Sequence, residues 1–372
     1  MKILIAMDSF KGNLSSLDVA TVVANGIYKV YPDAEIEKVA VADGGEGTID
    51  AIASSRNGKY YYVDTFGPLG TPVAAKYAII DRDTAIIETA EASGLHLVSK
   101  EDRNPLLTTT YGTGIIMREA IHQGCRKIIL AVGGSATNDG GTGILKALGI
   151  KFKDAFGKEV PNGGGYLNLI RSIDTSGKLT SDITIISDVT NKLLGEKGAS
   201  HVFSPQKGAN PEMVKLLESN MEHYAQMLHN FTEKNIADIP GTGAAGGIGA
   251  GLIAFFDATI QKGIDFVLDI IRIEEKIKSA DIVITGEGRM DRQTAYGKLP
   301  IGVSSLAKKH SKPVIAIAGF LDEGYEDVYE HGIDAAFSSM VGPLSLNEAI
   351  DKSRDLIEKA AINIFRVIKA TE

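Results

Sequence analysis

Ile282-Val283-Ile284-Thr285-Gly286-Glu287-Gly288-Arg289-Met290-Asp291 joins a short apolar, β-branched run to a segment that alternates glycine with charged residues. The apolar run is typical of a buried parallel strand. Open α/β sheets place their ligand sites in the loops at the carboxyl ends of such strands. The stretch therefore predicts a strand over 282–285 that carries a polar, ligand-facing loop at its end.

Three other segments repeat this arrangement of an apolar run followed by a polar loop. They are Ile3 to Ala6 before Asp8-Ser9-Phe10-Lys11-Gly12, Ile128 to Val132 before Gly133 to Gly141, and Ile183 to Ile186 before Ser187 to Asn191. Four such runs predict an α/β protein in which distant segments converge on one polar site.

The composition limits the possible classes of protein. The chain has 372 residues, 44% of them hydrophobic and 23% charged, which is typical of a soluble globular protein long enough for two domains. A net charge of −8 without a basic block disfavours nucleic acid as a partner. The single cysteine, Cys125, excludes an internal disulfide framework. No apolar stretch approaches the ~20 residues of a membrane span, so a cytoplasmic protein without a membrane partner is predicted.

The order of segments predicts two domains. Residues 59–98 resemble antiparallel strands joined by turns, whereas the chain is of parallel α/β type before and after them. A helix is predicted over 244–259 despite its glycines, and a long amphipathic segment is predicted at roughly 345–369. The first 60 residues are too few for a complete sheet. We therefore expect residues 1–60 and 275–372 to share one doubly wound parallel sheet, with 61–274 inserted as a second, mixed α/β domain and the active cleft between the two.

Two glycine-rich segments are candidates for phosphate binding. Gly241 to Gly246 matches GxGxxG, but the dinucleotide fold needs a strand before it, and 235–240 is a poor strand. A close-packed helix start or a phosphate-binding loop fits this segment better. In Gly133 to Gly141, the N–H groups at a helix start could bind an anion, or Asn138 or Asp139 could cap the helix instead.

Five carboxylates lie in these loops: Asp43, Glu46, Asp188, Glu287 and Asp291. Phosphoryl transfer needs a metal to neutralise the phosphates and a carboxylate to orient the attacking hydroxyl. Mg²⁺ prefers oxygen ligands, and no cysteine–histidine cluster indicates zinc. Lys11 follows the first strand closely enough to hold a carboxylate or a phosphate. At least two of the five carboxylates are expected to take part in the reaction.

Several of these motifs closely resemble the type-1 glycerate kinase family of bacteria. They are Asp8 to Gly12, Ala42 to Thr48, Gly67 to Gly70, Gly133 to Gly141, Pro205 to Ala209, Pro240 to Gly247 and Thr285 to Asp291. The resemblance runs in order along nearly the whole chain. Met7 and Lys192 stand where the family pattern has proline. The resemblance implies a flavodoxin-like domain with an inserted α/β domain. It also implies ATP- and Mg²⁺-dependent phosphorylation of D-glycerate at its 2-hydroxyl, giving 2-phosphoglycerate.

The resemblance also suggests roles for individual residues. Lys11 or Arg289, with Ser9, would bind the substrate, and Asp188, or else Asp43, would accept the proton from the attacked hydroxyl. Glu287 and Asp291 would hold the metal. The triphosphate would contact loop residues, namely Gly133, Gly134, Ser135, Asn138, Gly243, Gly246, Gly286 and Gly288. The sequence does not assign base and metal ligand among the acids.

Two other classes of protein remain open on the sequence alone. The GxGxxG string would suit a nicotinamide-dependent hydroxy-acid dehydrogenase, and the same loops would suit a non-catalytic metabolite-binding protein. The sequence is compatible with a homo-oligomer but fixes neither the oligomeric state nor the enantiomer of the substrate.

Overall fold

The computed structural model describes residues 1–372, which form both strands and helices. Strands β1 to β15 are Lys2–Met7, Glu35–Lys38, Lys59–Phe66, Pro72–Ile80, Thr84–Glu88, Lys127–Ala131, Lys151–Lys153, Ser172–Asp174, Asp182–Ile186, Thr259–Gln261, Ile282–Gly286, Arg289–Met290, Val314–Ala318, Phe320–Leu321 and Ala335–Ser338. Helices α1 to α13 are Ser16–Tyr28, Thr48–Ser55, Ala90–Ser93, Tyr111–His122, Thr142–Ala147, Ala199–Phe203, Pro211–Thr232, Ile248–Phe256, Gly263–Ile270, Ile273–Ser279, Leu299–Lys309, Leu346–Asp351 and Ser353–Ala370.

The first of two compact units comprises residues 1–43, 50–55 and 264–372. Its sheet is parallel, with five strands in the order β15-β13-β11-β1-β2. Numbered within the unit and read from the other edge, this is the flavodoxin-like order 2-1-3-4-5. Both ends of the chain meet in it, because Ile5 of β1 pairs with Ile284 of β11. The predicted doubly wound sheet shared by the two chain ends is confirmed.

The strand order of this sheet reverses between β1 and β11. From β1 the chain proceeds to β2 on one side, and it returns to β11 on the other. Ligands of open α/β sheets bind outside the carboxyl ends of the strands at such a switch point. Two of the predicted loops lie there together, since Asp8 N donates a hydrogen bond of 2.8 Å to Gly286 O.

Apolar packing on one face of the sheet makes this switch point rigid. Ile3, Ile5 and Met7 are fully buried against helices α1 and α13. The two helices approach each other closely at Gly26, where a Cβ atom would lie 2.7 Å from Glu358 O. The loop after β1 therefore starts from a strand that cannot move without disrupting the core.

The second unit comprises residues 44–49 and 56–263 and is built on a sheet in the order β10-β9-β6-β5-β4-β3. Strands β3, β4 and β5 are antiparallel, as predicted for residues 59–98, whereas β5, β6, β9 and β10 are parallel. The carboxyl ends of β5, β6 and β9 therefore lie along one edge. Val132, just after β6, donates a backbone hydrogen bond of 3.3 Å to Ile186 O at the end of β9.

Two predicted helices have different bounds in the structure. The helix expected over 244–259 begins only at Ile248, because Ala245, Gly246 and Gly247 have φ angles of 52°, 73° and 92°. Its predicted end belongs to strand β10. The amphipathic segment 345–369 is divided at Lys352 into α12 and α13.

The two compact units and the predicted domains differ at their edges. Residues 264–274 belong to the first unit and residues 44–49 to the second. The predicted domain boundaries after residues 60 and 274 stay a prediction. None of the helices combines the length and the apolar character that crossing a bilayer requires.

Candidate active site

Asp8, Ser9, Lys11 and Asp43 form a charged cluster beyond the end of β1. Asp8 is almost fully buried, and its Oδ1 atom accepts a hydrogen bond of 2.7 Å from Ser9 N. Lys11 is more exposed, and its Nζ atom lies 3.4 Å from Oδ2 of Asp43. The buried Oγ atom of Ser9 has no hydrogen-bond partner. An unpaired hydroxyl beside an ammonium suits a polar ligand.

The charges of this cluster shift one another's pKa. Burial, reinforced by Asp43, raises the pKa of Asp8 to about 7, although Lys11 opposes the change. Burial alone would lower the pKa of Lys11, but Asp43 and Asp8 together raise it. Lys11 is therefore cationic at neutral pH, while Asp8 is poised to gain or lose a proton there.

Glu287 and Asp291 share a third partner, Lys298. Lys298 Nζ lies 3.3 Å from Glu287 Oε2 and 3.6 Å from Asp291 Oδ1. Glu287 also accepts a hydrogen bond of 2.6 Å from Thr294 Oγ1. Burial raises the pKa of Glu287, with Thr294 and Lys298 working against it. One position is thus within reach of both predicted metal ligands, and an ammonium group lies there.

Arg289 is held by carboxylates on both sides. It forms a short ion pair with Asp322, and its Nε atom lies 3.7 Å from Asp291 Oδ2. The two-stranded parallel ladder of β12 and β14 sets this geometry by pairing Arg289 with Phe320. The guanidinium group is exposed, so a substrate carboxylate would have to compete with Asp322 for it.

Gly286 is needed for the close approach of neighbouring backbone, whereas Gly288 is not. Gly286 has a φ of 152°, and a Cβ atom there would lie 1.8 Å from Ile317 O. Gly288 O accepts a hydrogen bond of 3.1 Å from Phe320 N. A Cβ atom at Gly288 would lie 3.6 Å from the nearest atom, so only Gly286 has a structural reason to be glycine. The predicted contact of both glycines with nucleotide stays a prediction.

In the second unit, the start of α5 already has an anion, the carboxylate of Asp139. Asp139 is fully buried and accepts hydrogen bonds from Thr110 N at 2.8 Å, Gly141 N at 3.2 Å and Gly143 N at 3.3 Å. Burial raises its pKa, and these hydrogen bonds oppose the rise. The helix start is thus capped from within. Among the residues that precede Asp139 in this segment, an external anion has access to Gly133 and Gly134, whereas Ser135 to Asn138 are buried.

The segment 133–138 contacts a lysine to which the sequence assigned no role. Nζ of Lys207, which is 2% exposed, donates hydrogen bonds of 3.0 Å to Ser135 Oγ and 2.6 Å to Thr137 O. Asn138 Nδ2 reaches Ser200 Oγ at 3.4 Å. The predicted residues Gly133, Gly134, Ser135 and Asn138 therefore lie on one loop with a buried cation beneath it.

The two glycine-rich segments of the second unit pack against each other. Gly140 N donates a hydrogen bond of 2.9 Å to Gly246 O. Gly243 N is already bonded to Asn191 O at 2.9 Å, so it is not free for phosphate. A 3₁₀ turn at Ile236–Asp238, not a strand, precedes the segment. The strand–turn–helix context of a dinucleotide fold is absent.

Comparison with known proteins identifies the family. The sequence model of the glycerate kinase family matches residues 3–369. The chain belongs to the glycerate kinase family.

Individual relatives agree over the whole length. A glycerate kinase of Halalkalibacterium halodurans is 48% identical over 368 residues, with 97% of each chain covered. A glycerate 2-kinase of Escherichia coli K12 is 46% identical over 369 residues, covering 98% of this chain and 97% of the relative. A crystal structure from Salmonella typhimurium LT2, assigned as glycerate kinase 2, superposes with a TM-score of 0.88 at 44% identity and covers 100% of this chain and 99% of that one.

Asp188, the predicted proton acceptor of this member of the glycerate kinase family, lies two residues after β9. Strand β9 is the parallel neighbour of β6, which precedes the Gly133 segment. Asp188 is thus at the same sheet edge as that segment, and its role stays a prediction.

The residues that sequence reasoning missed make contacts that range from nearby to remote in the chain. Lys298 pairs with two predicted acids, Asp322 with a predicted cation, and Lys207 with Ser135, 72 residues away. Asp8 belongs to the Asp8 to Gly12 motif, and the sequence assigns it no role. Its position directly after a buried strand is the signal that could have singled it out.

Proposed function

We propose that this chain transfers the γ-phosphoryl group of ATP to the 2-hydroxyl of D-glycerate, giving 2-phosphoglycerate and ADP. Family membership supports the activity, and the relative from Escherichia coli named glycerate 2-kinase supports the choice of hydroxyl. The observation that carries the proposal is the Asp8–Lys11–Asp43 cluster at the switch point of the flavodoxin-like sheet. A cation next to a carboxylate and to a buried acid whose pKa is raised, Asp8, suits a hydroxy acid.

In this proposal, Lys11 binds the carboxylate of glycerate and Ser9 donates a hydrogen bond to the same substrate. Lys11 has a single carboxylate within ion-pair distance, Asp43, whereas Arg289 has two, Asp322 and Asp291. An arginine that is already neutralised binds a further anion less well. We therefore favour Lys11 over Arg289 as the main anchor, with Arg289 contributing when Asp322 releases it.

The proton of the attacked hydroxyl needs an acceptor. We keep Asp188 as the first candidate and Asp43 as the second, and the structure adds Asp8 as a third. A general base works best when its pKa lies near the operating pH, which is where burial brings the pKa of Asp8. Substitution of each aspartate in turn distinguishes them.

We also propose that Glu287 and Asp291 are the carboxylates that hold Mg²⁺. Both present oxygen atoms around the position of the Lys298 ammonium, so the donor set fits a hard cation. When bound, the ion would neutralise charge on the phosphate oxygens. Around the triphosphate, Gly133 and Gly134 are the predicted contacts that an external anion can reach, and the buried Ser135 is the next residue of the same loop.

A coupled assay for ADP tests the proposal. D-glycerate, L-glycerate and related hydroxy acids are each supplied with MgATP, and ³¹P and ¹H NMR spectra identify the phosphorylated carbon of the product. ADP formation with D-glycerate and a phosphate on carbon 2 is expected. A product phosphorylated on carbon 3 would overturn the choice of hydroxyl, and absence of ADP despite glycerate binding would favour the non-catalytic alternative. Saturable, tight binding of NAD(H) would favour the dehydrogenase.

We further propose a cytoplasmic location, because ATP is available there. Detection of the native protein in the soluble cytosolic fraction of its host would be the expected result.

A further inference from the structure

Lys207 is carried by a turn that leaves its side chain little freedom. The turn Pro205–Lys207 is closed by Gly208, whose φ is 98°. A Cβ atom at Gly208 would lie 2.3 Å from Arg103 O, so only glycine fits. Ala209 N returns to bond Ser204 O at 3.1 Å. The backbone therefore aims Lys207 inward, and its side chain is 2% exposed.

The Lys207 ammonium is buried without a carboxylate in contact. Its two hydrogen bonds go to neutral oxygens, Ser135 Oγ at 3.0 Å and Thr137 O at 2.6 Å. Burial lowers the pKa of Lys207 to about 7, and the negative charge of Asp139 compensates only in part. A desolvated charge without a direct counterion costs stability. Such a residue is more readily explained by function than by folding.

Other polar atoms of the same loop also lack partners. Thr137 Oγ1 and Asn138 Oδ1 are buried and make no hydrogen bond. The oxygen and nitrogen of the Asn138 amide can be exchanged by rotation, which would leave its NH₂ group free and let Ser200 donate to the oxygen. The buried side of the Gly133–Asn138 loop therefore contains hydrogen-bonding atoms that have no partner.

Solvent reaches this loop at Gly134. Gly134 is exposed and has a φ of 72°, and Ser135, the next residue, is 6% exposed. When Ser135 Oγ accepts the hydrogen bond from Lys207, its own O–H is free to donate away from the lysine. A hydroxyl that accepts from an ammonium is polarised and becomes a stronger donor. Lys207 thus acts on a ligand through Ser135.

We propose that Lys207 is a positioning residue for ATP: it supports the Gly133–Asn138 loop from below and strengthens the Ser135 hydroxyl as a donor to a phosphate group. This inference rests on the proposed function, in that the phosphate is assigned to ATP. It adds a residue for the nucleotide to the site and explains why an unpaired ammonium is kept in the interior.

Lys207→Met removes the charge and both hydrogen bonds while keeping a long, unbranched side chain. We expect KM for ATP to rise about tenfold, because the Ser135 hydroxyl loses the ammonium that strengthens it as a donor and the loop loses its support, while KM for glycerate changes little. The unfolding midpoint should stay constant or rise, since a desolvated charge is removed. Ser135→Ala should raise KM for ATP in the same direction, and the double variant should be no worse than Lys207→Met.

Lys146→Met is the matched control. Lys146 is a partly buried lysine of α5 in the same unit, and it bonds Val160 O and Asn162 Oδ1, away from the loop. Its substitution should leave KM for ATP unchanged.

An unchanged KM for ATP in Lys207→Met, or a lower unfolding midpoint with loss of active protein as the only effect, would make Lys207 a structural residue. Ser135→Ala keeps the test independent of that variant's folding: normal ATP kinetics would equally overturn the proposal. Direct titration with a fluorescent ATP analogue separates this inference from the proposed reaction. Weaker nucleotide binding by Lys207→Met supports the inference even if wild-type protein forms no ADP with glycerate.

Discussion

Lys11 Nζ lies 3.4 Å from Asp43 Oδ2, so this ammonium is oriented before any substrate binds. A preorganised cation loses little entropy when it pairs with a substrate carboxylate. For Lys11→Ala we expect KM for glycerate to rise about tenfold to a hundredfold, the range for a lost charge-assisted hydrogen bond. KM for ATP should change much less. Steady-state kinetics with each substrate varied in turn measure both.

Lys29→Ala provides the control for Lys11→Ala. Lys29 is an exposed lysine in an ion pair of 2.7 Å with Glu358, in the same unit but at the end of helix α1. Its removal should leave both KM values unaltered. An unchanged KM for glycerate in Lys11→Ala would remove Lys11 from the substrate site.

Asp188→Asn tests the first candidate for the proton acceptor. A general base contributes about a hundredfold to ten-thousandfold to rate, so kcat should fall by that factor while the protein stays folded. Asp182→Asn is the matched control, because Asp182 begins the strand β9 that Asp188 follows. The two residues lie toward opposite ends of one strand. A kcat near normal in Asp188→Asn would pass the role to Asp43 or Asp8.

Asp8→Asn should change how stability depends on pH. Burial raises the pKa of Asp8 from 3.8 to about 7, so the folded state binds more protons than the unfolded state between these values. The contribution of Asp8 to stability is then fully present below pH 3.8 and is lost as the pH rises through about 7. The amide that replaces the carboxyl group in this variant stays neutral at every pH, and its oxygen can still accept the hydrogen bond from Ser9 N.

Thermal unfolding without divalent cations checks this prediction for Asp8. The unfolding temperature of the variant minus that of wild type should grow from pH 4 to pH 7 and level off above it, reaching a few degrees. The groups that act on Asp8 are Asp43, Lys11 and Glu287, and they are unchanged in the variant. Asp33→Asn, at an exposed position, controls for the altered net charge. A difference that is the same at every pH would contradict the raised pKa.

Apolar runs and glycine-bearing ends were enough to predict the strands that carry the candidate site. The runs at Ile3 and Ile282 became the central pair β1 and β11, because buried parallel strands require continuous apolar sequence. The helix expected over 244–259 was wrong at its start, because three residues with positive φ form a tight turn there to meet the Gly133–Gly141 segment. The spacing of apolar residues does not show which residues adopt positive φ angles.

The pairing of charges was the part that the sequence did not reveal. Lys298 meets Glu287 because the turn Arg292–Tyr296 folds back, and Asp322 reaches Arg289 through the register of β12 and β14. Lys207 finds Ser135 only when a turn and a strand end are packed together. The contacts of Asp322 and Lys207 join residues 33 and 72 positions apart, so they depend on tertiary geometry that no local spacing encodes.

Gly246→Ala should disturb nucleotide binding through the backbone. Gly246 has a φ of 73°, and a Cβ atom there would lie 2.1 Å from Thr137 O, so the Thr137 backbone must move. Thr137 O is also an acceptor for Lys207. We therefore expect a several-fold rise in KM for ATP together with a lower unfolding temperature. Gly157→Ala is matched in φ, at 74°, but has no atom within 4 Å of the new Cβ.

The Gly157→Ala variant should lose about 1–2 kcal/mol of folding stability, because alanine in the left-handed conformation is strained by that amount. Its kinetics should stay normal. The difference between the two variants isolates the displacement of the loop from the intrinsic strain of the residue. Thermal unfolding and ATP kinetics are measured on both. Equal losses in stability with identical KM values would mean that the contact between Gly246 and Thr137 does not shape the nucleotide loop.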